Sequence, residues 1–100
     1  MSEFHDRAAD QKFTKVYKQE TPDILRAFAT FDQAVFAEEG REIPLKYREL
    51  IALGVALTTQ CPYCIEAHSG GAVKAGATDA ELAEAARLLT AAGITPPAAA

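Results

Sequence analysis

Between Pro44 and Thr59 the chain reads PLKYRELIALGVALTT, and from Leu50 to Leu57 nearly every position is apolar. The stretch is rich in leucine and alanine, and its β-branched residues do not cluster, so it reads as helix rather than strand. A helix that is apolar on nearly every side belongs at the centre of a bundle or of an oligomer. It is far shorter than the roughly 20 residues needed to span a bilayer. Whatever else the chain forms must therefore pack around this segment, and no stretch elsewhere alternates apolar and polar residues as a half-buried strand would.

Turn and capping residues divide the rest into further helices. A first is predicted over Asp6 to Gln19, with Phe13, Val16 and Tyr17 on one side. Thr21 then caps a second that opens on Pro22, runs to about Glu38 and stops at Gly40. Its Ile24, Phe28, Phe31 and Val35 recur at helical spacing and make one apolar stripe. The buried helix opens at Pro44 and ends near Thr59. A fourth starts around Cys61-Pro62 and closes near Ala75, with Gly76 as a left-handed cap. Gly70 and Gly71 inside it each cost about 1 kcal/mol relative to alanine, which points to close helix contact or a bend. The fifth carries a capping box, Thr78-Asp79-Ala80-Glu81, followed by an apolar face of Leu82, Ala85, Ala86 and Leu89. Gly93 and Pro96-Pro97 end it. The expected fold is an all-α bundle of about five helices in a single domain over residues 1–100.

The 100 residues carry a net charge of −4, with ten basic side chains scattered and forming no patch, which argues against nucleic acid as a partner. A membrane partner is not expected either. The N-terminus, MSEFHDRAADQK, lacks the apolar stretch of a secretion signal, so a cytoplasmic location is expected. A chain this short buries only about 60–65% of its unfolded surface, and many of its apolar residues are alanines, so a homo-oligomer is expected.

In that setting the two cysteines read as redox or metal chemistry. Cys61 and Cys64 form a CxxC pair, and His68 follows four residues after Cys64. On a helix the three share one face. Cys61 lies at the helix start, where free amides favour a thiolate. His68, one turn from Cys64, is placed to take a proton from it. Helix-start logic thus favours Cys61 as the nucleophile, and spacing favours Cys64. Glu49, a carboxyl beside the buried run, is a further candidate for proton exchange near neutrality. Zinc would find three ligands here but usually takes four, and the spacing is not that of a zinc knuckle. CPYC also resembles a glutaredoxin site, but that fold needs strands around the motif.

Taken together, Glu49-x11-Cys61-x2-Cys64-x3-His68 and the run RELIALGVALTTQCPYCIEAHSGGAVKAGATDAELAEA resemble the carboxymuconolactone decarboxylase-like superfamily, on its alkylhydroperoxidase D-like side. The recognisable part covers approximately residues 21–92. The resemblance implies an all-helical fold assembled as trimers or hexamers. It also implies a peroxidase or disulfide oxidoreductase that reduces hydroperoxides through a dithiol–disulfide cycle. By that likeness Cys64 attacks the peroxide, Cys61 donates a proton and resolves, and His68 with Glu49 relays protons. No cofactor is implied; an external thiol or dithiol must supply electrons. The decarboxylation that names the superfamily does not require the cysteine pair and is not expected. The sequence departs from the alkylhydroperoxidase pattern at Tyr63, where that pattern has a second histidine, and it stops soon after the fifth helix, where relatives usually carry another. The competing reading is a helical interaction or redox-sensing protein without turnover.

Overall fold

The computed structural model describes residues 7–92. Five helices follow in order: α1 (Arg7–Glu20), α2 (Pro22–Val35), α3 (Leu45–Thr59), α4 (Pro62–Lys74) and α5 (Asp79–Ala91). No strand occurs among the described residues, which removes the glutaredoxin-like alternative. The stop signals at Gly93 and Pro96-Pro97 lie outside the described residues, as does Asp6.

The chain separates into two compact units, one ending at Val35 and the other beginning at Phe36. In the first, α1 passes into α2 through Thr21, whose amide and hydroxyl both donate to the Tyr17 carbonyl, at 3.0 and 2.8 Å. Pro22 takes the first helical position, where its missing N–H costs nothing. Phe13, Tyr17, Ile24, Phe28 and Phe31 are all exposed.

In the second unit α3 packs most extensively on α4 and also on α5. The buried side chains are Leu53, Ala56 and Leu57 of α3 and Ala72 of α4. The expectation of a helix at the centre of a bundle or of an oligomer is met on one side within a single chain. Ile51 and Val55 are each 58% exposed, so one chain covers one side of α3 and leaves the other open. The Leu82, Ala85, Ala86 and Leu89 face of α5 is half-buried as expected. A Cβ at Gly54 would stand 4.0 Å from Leu89 Cδ2, an ordinary contact, so the approach of α5 does not depend on glycine there.

The helix ends follow their residues. Gln60 takes a left-handed backbone (φ 56°) after α3, and its amide bonds the Ala56 carbonyl. Gly76 does the same after α4 (φ 103°). There the amides of Gly76 and Ala77 return to the carbonyls of Val73 and Ala72, at 3.0 and 2.9 Å, a Schellman closure. Two residues later the Thr78 hydroxyl accepts from the Glu81 amide while Glu81 Oε1 accepts from the Thr78 amide. The other Glu81 oxygen pairs with Lys46 Nζ at 3.0 Å, tying the start of α5 to the start of α3. The Thr78 amide and then Lys46 hold the Glu81 carboxyl below its ordinary value.

One boundary differs from expectation. The second helix was expected to reach Glu38 but ends at Val35. The segment after it is held by side-chain donors instead of a helical ladder: Arg48 Nη2 donates to the Ala37 carbonyl at 2.6 Å and Arg48 Nε to the Ile43 carbonyl at 2.8 Å.

Candidate active site

The start of α4 is built around Cys61. It is the N-cap residue, with extended backbone, and Pro62 follows at the first helical position. Serine or aspartate usually fills this role through a side-chain oxygen; here the Cys61 sulfur accepts from the Cys64 amide at 3.4 Å. Both cysteines are free thiols, Cys61 half-buried and Cys64 exposed.

Their acidities separate accordingly. The Cys61 thiol is lowered, first by the hydrogen bond from the Cys64 side chain and then by the Cys64 and Tyr63 amides. The same side-chain contact raises Cys64, with burial adding to the effect. Of the two, Cys61 holds the negative charge more readily, because the Cys64 thiol and then the helix-start amides donate to that sulfur.

Cys64 faces a different environment. It lines a cleft of about 270 Å³ together with His68 and with Ala52, Val55, Ala56 and Thr59 of α3. Across the α3–α4 contact, Glu49 Oε1 lies 2.7 Å from His68 Nδ1. Their side chains are only 13% and 26% exposed, so this bond is partly shielded from solvent. A carboxylate can only accept, so with Glu49 as acceptor Nδ1 is the donor in this bond, and in a neutral imidazole Nε2 then keeps its lone pair. The imidazole is thereby set to take a proton at the nitrogen away from Glu49.

Phe36 completes the setting. Its ring stacks on the His68 imidazole, with centroids 5.2 Å apart and planes inclined by 27°. No spacing rule in the sequence links positions 36 and 68. Arg48, which bonds the Ala37 carbonyl, was likewise not singled out; its only sequence signal is its place next to Glu49. Of the residues that were singled out, the structure joins Glu49 to His68, His68 to the cleft of Cys64, and Cys64 to Cys61. Among the described residues, no group of three or more histidine, cysteine, aspartate or glutamate side chains is arranged to hold a metal ion.

The sequence pattern of the carboxymuconolactone decarboxylase family matches residues 22–100. The chain belongs to this family. It is 42% identical over 59 residues to uncharacterized protein 4 in the cox locus of Paracoccus denitrificans, a match spanning 59% of this chain and 51% of that protein. It is 44% identical over 65 residues to an uncharacterized protein of Haemophilus influenzae, covering 65% of this chain and 55% of that one. The chain thus spans about half the length of these curated relatives. The crystal structure of a carboxymuconolactone decarboxylase family protein from Legionella pneumophila superimposes with a TM-score of 0.72 at 29% identity, over 85% of this chain and 74% of that one. The all-helical architecture is therefore that of the family. No helix among the described residues is long and apolar enough to cross a membrane.

Proposed function

We propose that this family member is a thiol-dependent peroxidase that reduces hydroperoxides by cycling Cys61 and Cys64 between dithiol and disulfide. The observation that carries this reading is the chain of contacts Glu49–His68 beside Cys64, with Cys61 capping the same helix. His68 Nε2 takes the Cys64 proton, and the Cys64 thiolate attacks the terminal peroxide oxygen. The O–O bond breaks, an alcohol leaves with a proton, and Cys64 becomes a sulfenic acid. Cys61, the more acidic thiol, then attacks the sulfenic sulfur, expelling water and closing the disulfide. A thiol or dithiol donor returns both sulfurs to the reduced state. Self-association belongs to the same reading, since the exposed stripe of α2 and the open side of α3 leave large apolar side chains in water.

Stopped-flow peroxide consumption with a sulfenic-acid trap tests the roles. Cys61→Ser should consume one equivalent and accumulate a trapped adduct on Cys64, whereas Cys64→Ser should lose rapid consumption. An adduct on Cys61 in Cys64→Ser, formed at the wild-type rate, would reverse the assignment. Absence of turnover in the wild type with peroxide and a dithiol donor would leave redox sensing as the better account.

A further inference from the structure

Glu49 reaches His68 by crossing α4 at one point, and that point has no side chain. A Cβ built on Gly71 would collide with Glu49 Oε2, stand 2.6 Å from its Cδ and 3.2 Å from its Oε1. Gly71 lies three residues after His68, so the two share a helix face. The neighbouring Gly70 presents nothing within 4 Å of the same construction. Both glycines weaken the helix by propensity, but only one of them makes room for anything.

We propose that Gly71 is a positioning residue for the His68–Glu49 pair: its missing side chain is the slot through which the Glu49 carboxylate reaches Nδ1 and fixes the imidazole tautomer. The atoms in the way of a Cβ are the far end of a flexible side chain. A methyl group at position 71 therefore leaves the helices packed and moves the carboxylate out of its 2.7 Å bond to His68. The catalytic meaning of this slot rests on the peroxidase reading above, but its structural content does not.

The test compares Gly71→Ala with Gly70→Ala in protein carrying 15N-labelled histidine. In the wild type the His68 nitrogens should show the Nδ1–H tautomer that an ionised Glu49 demands. Gly71→Ala and Glu49→Ala should both shift them toward the Nε2–H form, while Gly70→Ala should keep the wild-type pattern. Both glycine variants should melt at or above the wild-type temperature, since each gains helix propensity. Peroxide consumption should fall by about tenfold in Gly71→Ala and not in Gly70→Ala. In a Glu49→Ala background Gly71→Ala should have no further effect on tautomer or rate, because the group it displaces is gone. A Gly71→Ala protein with the wild-type tautomer overturns the proposal. So does a Gly71→Ala protein that fails to fold and is not restored by the added Glu49→Ala change. A shifted tautomer in a family member whose wild type consumes no peroxide upholds the slot and discards the peroxidase reading.

Discussion

At the start of α4 the helix amides fall on Cys61, while the imidazole and the open cleft fall to Cys64. The two thiols should therefore titrate apart. In the reduced protein, alkylation of Cys61 by iodoacetamide should persist as pH falls below the ordinary thiol range, because a lowered pKa keeps thiolate present there. Alkylation of Cys64 should need a higher pH, its pKa being raised. Peptide mapping by mass spectrometry across pH 5 to 10 reads both midpoints, and coincident midpoints would remove the division of labour. Phe36 offers a second residue-scale test. Its stack on His68 is worth about 0.5–1.5 kcal/mol in orientation, so Phe36→Ala should slow peroxide consumption by a few-fold to about tenfold. The Cys61 alkylation midpoint should not move, since Phe36 touches the histidine and not the thiols.

Helix ends are the elements' weak points, and here they are closed by specific side chains. Thr78→Ala removes the hydroxyl that accepts from the Glu81 amide and should cost about 1 kcal/mol. For a chain of this size that lowers the melting temperature by about 4–8 °C, read by circular dichroism. The Glu81 half of the cap is pH-dependent. Its carboxyl lies below its ordinary value in the fold, so its contribution is complete above the unfolded carboxylate pKa and is lost as pH falls through the folded one. The melting advantage of wild type over Glu81→Ala should be steady near neutrality and shrink below about pH 4. These caps were legible in the sequence because each is a local rule: Thr78 with Glu81, Gly76 after Lys74 and Pro22 after Thr21 need only near neighbours. The site was partly legible for the same reason, since Cys61, Cys64 and His68 share one helix. Glu49 stands out by its place beside the apolar run, and the family resemblance gives it a relay role. The separate fates of Gly70 and Gly71 depend on which face of α4 meets α3, and Phe36 and Arg48 act through partners distant in sequence, none of which a local pattern encodes. The early end of α2 was missed because an arginine from α3 supplies the donor for Ala37, a contact eleven residues away in sequence.

Across the whole molecule the buried core of the described residues is small: Leu53, Ala56, Leu57 and Ala72. Against this stand Phe28 at 62%, Phe31 at 66% and Leu88 at 69% exposure. Light scattering at micromolar concentration should give a multiple of the 10.7 kDa chain mass, and Phe31→Lys should lower that multiple; a monomer mass for the wild type would sink the self-association reading. The shallow core also bears on how this chain behaves in a test tube. On the self-association reading, folding and assembly form one equilibrium, and the melting temperature should rise with protein concentration. Dilution then acts as a denaturant. An assay run at nanomolar enzyme would report a falling activity per chain that owes nothing to the thiols, and adding more of an inactive Cys64→Ser copy would restore it.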